Sequence, residues 1–216
     1  MSAEQATVFV VDDDASVRKA LTRLIRSAGW EAKAFASARE FLDQGPPAGP
    51  GCLVLDVRMP GLNGLDLQAE MTARNLQTPI IFLTGHGDVP LSVKAMKGGA
   101  LDFLTKPFKD KDLLGVIKEA LQKDARLQVA QMEKAEIQGR IRSLTPRERE
   151  VLFLVVKGKM NKEIADALGT AERTVKVHRG RVMHKMQVQS VAELVRTVAR
   201  VQAEGASPDA GTTKGQ

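Results

Sequence analysis

Apolar residues in the first half of the chain follow two patterns that alternate along the sequence. Runs that are continuously apolar, or apolar at every second position, predict five β-strands at 7–11, 30–35, 52–55, 79–84 and 102–105. Segments with apolar residues at helical spacing predict five helices at 15–29, from Ser37 onward, and at 64–75, 90–99 and 110–124. Parallel strands need crossover connections, so this alternation predicts a doubly wound α/β sheet.

The second half of the chain has only helical patterns. Residues 122–142 are charged, lack proline and keep no strict heptad, which predicts an exposed helical linker rather than a coiled coil. Residues 143–203 predict a small all-α domain of four helices, and the small, polar residues 204–216 predict a disordered tail. With an α/β domain at 6–121, this division accounts for the whole chain.

Capping signals mark where the helices of residues 143–203 begin. Thr145, followed by Pro146, and Ser190 each begin a capping-box pattern. Asn161 is expected to cap the next helix, which ends before Gly169, and a longer helix is predicted from about Glu172 to Met186.

Composition indicates a soluble globular protein. The 216 residues are 43% hydrophobic and 27% charged, and no apolar run approaches the roughly 18 residues of a membrane span. The start "MSAEQATVFV" lacks the features of a signal peptide. The single cysteine, Cys52, cannot form an internal disulfide and lies in an apolar run, so we expect a cytoplasmic protein with a buried structural thiol.

The charge is unevenly distributed between the two halves. Residues 1–122 contain 14 Lys and Arg against 15 Asp and Glu, whereas residues 143–203 contain 12 against 6. A compact basic segment suggests a polyanionic partner, nucleic acid first. Charge alone fits an ordinary solvated basic surface equally well.

Polar residues with complementary chemistry follow four of the predicted strands. Asp12, Asp13 and Asp14 follow the first strand, Asp56 the third, Thr84 ends the fourth, and Lys106 follows the fifth. In a parallel sheet these residues meet beyond the carboxyl ends of the strands, where functional groups gather. Converging carboxylates need a cation, and hard oxygen ligands suit Mg²⁺.

A lysine and a hydroxyl beside such a site suit a phosphoryl group, which predicts that Asp56 is a nucleophile that holds it as an acyl phosphate. Taken singly, each residue has a plainer interpretation. An aspartate after a strand is usually a turn or capping residue, and Asp14 has this alternative in particular.

The motifs "VVDDD", "LVLDVRMPGLNG", "IIFLTGHGD" and "GALDFLTKPF" resemble the receiver domain of two-component response regulators, over about residues 6–121. The resemblance implies a flavodoxin-like fold with strand order 2-1-3-4-5. It implies that Asp56 is the phosphoacceptor and that Thr84 and Lys106 contact the phosphoryl group. It further implies a switch formed by Thr84 and Phe103, and a cis peptide bond before Pro107.

The same resemblance implies a Mg²⁺ cofactor. Its ligands would be the side chains of Asp13 and Asp56, assisted by Asp12, and the main-chain carbonyl of Arg58. His86 lies two residues after Thr84. It is interpreted either as an exposed loop residue or as a residue that influences the lifetime of the acyl phosphate.

The segment "LTPREREVLFLVVKGKMNKEIADALGTAERTVKVHRGRVMHKM" resembles the LuxR-type helix-turn-helix, over about residues 141–203. Together with the receiver motifs, it identifies the chain as a member of the FixJ and NarL class of response regulators, closest to FixJ-like members. The resemblance implies a sensor histidine kinase as phosphodonor, homodimerisation on phosphorylation, double-stranded promoter DNA as target, and RNA polymerase as a further partner.

Helical spacing divides the residues of the predicted recognition helix into two faces. Val175, Val182 and Met186 fall on one stripe and should pack inward. Lys176 is expected to reach a guanine edge or a phosphate, and Val177 a thymine methyl. The full set of expected DNA contacts is Thr174, Lys176, Val177, Arg179, Gly180, Arg181 and Lys185. Among them Thr174, Arg179, Arg181 and Lys185 are better placed for phosphates, which position the protein without specifying sequence.

Three positions depart from the pattern of the LuxR-type family. Thr170-Ala171 replaces an apolar residue followed by Ser before the recognition helix, so that either Thr170 caps this helix or the cap is lost. Gly180 lies where a basic side chain often contacts a base. Met160 replaces a small polar residue, which is why Asn161 is expected to provide that cap.

The sequence therefore predicts a phosphorylation-controlled transcription factor that is not an enzyme beyond its own phosphorylation and dephosphorylation. One alternative is a Mg²⁺-dependent phosphohydrolase, but Arg58 lies where a second acid two residues after the nucleophile would suit it. The other is a protein-binding signalling module that has lost DNA contact.

Overall fold

The computed structural model describes residues 6–45, 49–85 and 89–202. The chain forms two compact units, one up to Val129 and one from Ala130 onward. The predicted tail at 204–216 and the loop residue His86 lie outside the described residues. Within the described ranges, none of the helices combines the length and apolar character needed to cross a bilayer.

The first unit contains the predicted parallel sheet. Its strands are β1 (Thr7–Val11), β2 (Glu31–Phe35), β3 (Gly51–Asp56), β4 (Ile80–Thr84) and β5 (Asp102–Thr105). All neighbours are parallel and the strand order is β2-β1-β3-β4-β5, which confirms the flavodoxin-like topology. The chain reverses its direction of winding at β1 and β3, the switch point where such sheets place functional groups.

Five helices cover the sheet, at the predicted places and with ends shifted by one or a few residues. They are α1 (Ala15–Ser27), α2 (Ala38–Gln44), α3 (Gly64–Ala73), α4 (Val89–Lys97) and α5 (Asp110–Arg142). Helix α1 ends just before Gly29, which adopts φ +89°, a conformation that glycine takes without steric cost. Helix α5 includes the predicted linker, which confirms that the linker continues the preceding helix.

Side chains of β3 alternate between two hydrophobic clusters, one on each face of the sheet. Leu53 and Leu55 pack into the cluster that contains Phe9, whereas Cys52 and Val54 pack into the other. Because helices cover both faces, this strand is continuously apolar rather than alternating. Cys52 is a free, buried thiol, as predicted, and burial raises its pKa far above its ordinary value.

The second unit has its own hydrophobic core. It is formed by the end of α5, where Ile137 is buried, and by α6 (Pro146–Val156), α7 (Asn161–Leu168), α8 (Glu172–Met186) and α9 (Val191–Gln202). The capping box at Thr145 is present, since the Thr145 hydroxyl accepts from Glu148 N and Glu148 accepts from Thr145 N. Ser190 similarly accepts from Glu193 N.

The expected cap at Asn161 is wrong. Met160 takes the N-cap position of α7, and Asn161 is the first helical residue, whose side-chain oxygen accepts from Arg179. Glu163 accepts a hydrogen bond from Met160 N at 2.8 Å and thereby stabilises this end of the helix. At α8 the N-cap residue is Ala171, without any side-chain cap, so Thr170 does not cap this helix.

Candidate functional site

The carboxyl ends of β1, β3, β4 and β5 gather the predicted polar residues at one edge of the sheet. Asp56 ends β3 and pairs in register with Leu83, while the next residue, Thr84, pairs with Thr105 of β5. Asp12 directly follows β1, and Lys106 directly follows β5. Residues that are far apart in sequence thus become neighbours because their strands run in parallel and end together.

The ammonium group of Lys106 bridges two of the carboxylates. Its Nζ lies 2.8 Å from Asp12 Oδ2 and 2.7 Å from Asp56 Oδ1. The Asp12 and Asp56 side chains are only 3% and 10% exposed, so solvent screens these ion pairs weakly. Burial alone would lower the pKa of Lys106, but the hydrogen bonds and charges of the two carboxylates outweigh it and raise the pKa.

Main-chain groups orient the other oxygen atoms of these carboxylates. Asp14 N donates to Asp12 Oδ1 at 2.9 Å, and Arg58 N donates to Asp56 Oδ2 at 2.7 Å. Arg18 donates from Nη1 to the carbonyl of Asp12 at 2.6 Å. Each carboxylate therefore has one oxygen fixed by the backbone and one directed toward Lys106.

The ambiguity of Asp14 is resolved by its contacts. Its Oδ1 accepts from Ser16 N at 2.7 Å and from Val17 N at 3.4 Å, so Asp14 caps α1. These main-chain hydrogen bonds lower the pKa of the Asp14 carboxyl, and the bond from Ser16 N has the larger effect.

The two predicted switch residues lie on adjacent strands. Thr84 is 1% exposed at the end of β4. Phe103 on β5 is half-buried, packs against the cluster that contains Leu53, and lies 6.3 Å from the buried Phe82, measured between ring centroids. The peptide bond between Lys106 and Pro107 is cis.

The donor set at this edge fits a hard divalent cation. Asp12 and Asp56 both accept hydrogen bonds from one ammonium group, so this edge of the sheet favours positive charge, and carboxylate oxygens are ligands that Mg²⁺ prefers. Asp13 and Arg58 lie beside them with exposed side chains. In the described part of the chain, no group of three or more His, Cys, Asp or Glu side chains is close enough to hold a metal, so Asp12, Asp13 and Asp56 do not form a three-carboxylate cluster.

Helix α8 of the second unit has one buried and one exposed face. Val175, Val182 and Met186 are completely buried, as predicted. Most residues expected to contact DNA are exposed, namely Thr174, Lys176, Val177, Gly180 and Arg181. Val177 is 49% exposed.

Two basic residues of the same set are held by neighbouring helices. Arg179 Nη1 donates to Asn161 Oδ1 at 2.8 Å. Lys185 Nζ lies 2.6 Å from Glu148 Oε2 and 3.2 Å from the carbonyl of Ser143. Glu148 is 2% exposed, and the hydrogen bond from Lys185, with that of Thr145 N, lowers the pKa of its carboxyl.

Sequence reasoning missed both of these contacts. Glu148 was assigned only to the capping box, and no local pattern identifies Lys185 as its second partner, because Lys185 is 37 residues away. Arg147, which donates to the carbonyl of Leu168 at the end of α7, was likewise not singled out. The only available signal was the position of Glu148 on the buried stripe of α6, where a carboxylate requires a partner.

Two family models match the chain. The model described as response regulator receiver domain matches residues 8–118, and the model described as bacterial regulatory proteins, luxR family, matches residues 142–198. The two matches correspond to the α/β unit with its carboxylate cluster and to the helical unit with α8.

Curated relatives are similar over most of their length. Nodulation protein W of Bradyrhizobium diazoefficiens is 51% identical over 195 residues, which cover 90% of this chain and 86% of the relative. The transcriptional regulatory protein FixJ of Azorhizobium caulinodans is 46% identical, covering 89% and 92%. The response regulator protein TmoT of Ectopseudomonas mendocina is 45% identical, covering 93% and 91%.

Two solved structures are also similar to this chain. The response regulator StyR is 49% identical with a TM-score of 0.83, and the comparison covers 91% of this chain and 99% of StyR. Full-length FixJ from B. japonicum is 42% identical with a TM-score of 0.56, covering 94% and 99%.

Proposed function

Because the chain belongs to the family of response regulators that join a receiver domain to a LuxR-type DNA-binding domain, we propose that it converts phosphorylation of Asp56 into promoter binding. The family assignment makes it a phosphorylation-activated transcriptional regulator with a sensor kinase and DNA as partners. The proposal adds the residues that perform each step, the cofactor and the dimeric DNA-bound state. Acting on DNA, the protein would work in the cytoplasm.

Asp56 is the proposed acceptor. Its carboxylate oxygen attacks the phosphorus of a phosphohistidine on the kinase, a new O–P bond forms, and the P–N bond breaks with its electron pair left on the imidazole. Lys106, whose Nζ lies 2.7 Å from Asp56 Oδ1, then interacts with the phosphoryl oxygens. The hydroxyl of Thr84 donates a hydrogen bond to the same oxygens. Hydrolysis of the acyl phosphate by water returns the carboxylate.

Asp12 and Asp56, with the carbonyl of Arg58, would hold Mg²⁺, and the exposed Asp13 side chain would have to turn toward them to join as a ligand. When bound, this ion supplies positive charge that offsets the negative charge of the carboxylates and the phosphoryl group. The main-chain donors at Asp14 and Arg58 keep the carboxylates of Asp12 and Asp56 oriented in its absence.

Thr84 and Phe103 are the proposed switch. A phosphoryl group on Asp56 would draw the Thr84 hydroxyl toward it and change the packing of Phe103 against Phe82. The surface of α4, β5 and α5 would then favour a homodimer, which brings two α8 helices to two half-sites. Lys176, Val177 and Gly180 would face the bases, and Thr174, Arg179 and Arg181 the phosphates. RNA polymerase is a further proposed partner. Lys185 would contact a phosphate only if it gave up its ion pair with Glu148.

The bridging of Asp12 and Asp56 by the Lys106 ammonium is the observation that carries the proposal. It supports an acceptor carboxylate that is already paired with the cation that a phosphoryl group needs. The basic, exposed face of α8 supports the output half of the same proposal.

Labelling with acetyl phosphate and Mg²⁺ tests this function, with intact-protein mass spectrometry to detect one added phosphoryl group. We expect labelling of the wild type, none of Asp56→Asn, and none when Mg²⁺ is chelated. Gel shifts with promoter fragments should strengthen on labelling in the wild type only. Labelling that persists in Asp56→Asn would contradict the assignment of the acceptor, and turnover of small phosphate esters would favour a phosphohydrolase instead.

A further inference from the structure

Helix α8 presents two basic side chains that are held in different ways. Lys185 is bound by a carboxylate, Glu148, which is 2% exposed. Arg179 is bound by the neutral amide of Asn161, through its Nη1 and the amide Oδ1 at 2.8 Å. A carboxylate cancels the charge of its partner, whereas an amide oxygen accepts a hydrogen bond and leaves the full positive charge in place.

We propose that Asn161 is a positioning residue for DNA binding, which holds the Arg179 guanidinium in place for a backbone phosphate without neutralising it. This inference rests on the proposed function, since it requires that α8 binds DNA. It also separates the two cations: Arg179 contributes its charge to DNA, and Lys185 contributes its charge to the fold.

Arginine geometry supports this division of roles. The guanidinium has five N–H donors in a planar fork, and the contact with Asn161 engages Nη1 alone, so donors remain for a phosphate. A free arginine side chain loses rotamer freedom when it binds, and a side chain that is already oriented loses less. Arg179 is half-buried in the structure, consistent with one restricted position.

The location of Asn161 explains why its side chain is available. Met160 takes the N-cap position of α7, and Glu163 binds Met160 N, so the Asn161 amide is not needed at the helix end. The packing of α7 against α8 is provided by the core, where Ile164 and Val175 are completely buried. The bond between Asn161 and Arg179 therefore adds orientation to an interface that apolar contacts already stabilise.

A double-mutant cycle on the full chain tests the proposal. The wild type, Asn161→Ala, Arg179→Ala and the double variant would be titrated, with acetyl phosphate and Mg²⁺ present, against a short duplex of mixed sequence over a series of salt concentrations. Asn161→Ala should weaken binding about two- to ten-fold and keep the salt dependence of the wild type. Arg179→Ala should lower the salt slope by about one unit, and adding Asn161→Ala to it should change nothing further.

Asn161→Asp provides a second readout that a purely structural role would not affect. It retains an acceptor for Arg179 but cancels its charge, so the salt slope should fall by about one unit while the thermal midpoint is maintained. Gln189→Ala is the matched control, because this exposed amide of the same unit makes no side-chain hydrogen bond in the described residues.

Three results would overturn the proposal. The first is an Asn161→Ala substitution that is equally damaging in the Arg179→Ala background, which would mean that Asn161 acts independently of Arg179. Alternatively, Arg179→Ala or Asn161→Asp would leave the salt slope of the wild type unchanged. In each case DNA binding by the wild type would still stand. A wild type that binds no DNA would instead remove the proposed function, and this inference with it.

Discussion

Replacing Lys185 by methionine should destabilise the helical unit and leave the receiver unit unchanged. The substitution keeps the length of the side chain but removes the ammonium that lies 2.6 Å from Glu148 Oε2. Glu148 is 2% exposed and would keep only the hydrogen bonds of its capping box, so a buried carboxylate would lose its counter-ion.

The magnitude follows from the exposure of the pair. Removing one partner of a fully buried ion pair costs about 3–5 kcal/mol, whereas exposed pairs contribute about 0–1 kcal/mol. The Lys185 side chain is 33% exposed, so solvent partly screens the pair and we expect a loss of about 1–3 kcal/mol. For a unit of this size each kcal/mol shifts the thermal midpoint by roughly 4–8 °C.

Two spectroscopic signals distinguish the units within the full chain. Trp30 is the single tryptophan, no tyrosine is present, and Trp30 packs in the receiver core. Its fluorescence therefore follows the receiver, and far-UV circular dichroism follows the helices of both units. Lys185→Met should lower the midpoint of the helical unit, seen by circular dichroism, and leave the midpoint seen by Trp30 fluorescence unchanged.

The pH dependence supplies the control. Because the pKa of Glu148 is lowered by Lys185, the stability that the pair contributes is present above the ordinary pKa of a glutamate and is lost as the pH falls through the lower folded value. The difference between wild type and Lys185→Met should shrink accordingly in acid, and Glu148→Gln/Lys185→Met should recover part of the loss. Equal midpoints at neutral pH, or a difference that does not change in acid, would refute this reasoning.

Three further predictions concern the receiver and are measured by unfolding followed with Trp30 fluorescence. Gly64→Ala should destabilise it by about 1–3 kcal/mol, because a Cβ there would meet the backbone carbonyl of Asp56; an unchanged midpoint would contradict this. Asp124→Asn should be tolerated at neutral pH. Burial raises the pKa of the Asp124 carboxyl despite its hydrogen bonds from Gly51 N and Gln128. The free energy of unfolding of the wild type should therefore rise relative to that of Asp124→Asn as the pH falls. A wild type that becomes less stable than the variant in acid would contradict this. Lys106→Met should lower the midpoint, and millimolar Mg²⁺ should restore more stability to this variant than to the wild type; an equal response would argue that the carboxylates do not hold the ion.

Local sequence patterns were sufficient for the elements of the fold. The continuous apolar run before Asp56 predicted a strand covered on both faces, and β3 packs into clusters on both. The capping box at Thr145 was also correct, and Ser190 caps α9 with its side chain while Glu193 accepts from Gln189 N rather than from Ser190 N; these contacts lie within about one helical turn. Asp14 remained ambiguous in sequence: it was assigned no metal role, and only its contacts in the fold show that it caps α1.

The predictions that were wrong or incomplete concern competition between neighbours. Asn161 is a favourable capping residue by type, but its amide binds Arg179, 18 residues away, while Glu163 supports the helix end instead. Lys185 was assigned to phosphate on the basis of its charge, and in the fold that charge pairs with Glu148. Neither of these two contacts can be predicted from the spacing of the apolar residues.

The sequence by itself determined which segments are strands and helices, the order in which they alternate, and which residue types follow each strand, because these depend on periodicity and on contacts within a turn. The residues after the strands were expected to gather at one edge, but tertiary structure alone decided which charged atoms pair. Lys106 reaches Asp12 and Asp56 across 94 and 50 residues, and Glu148 reaches Lys185 across 37. Partners at such separations are set by the packing of whole elements, which brings together groups that no local pattern relates.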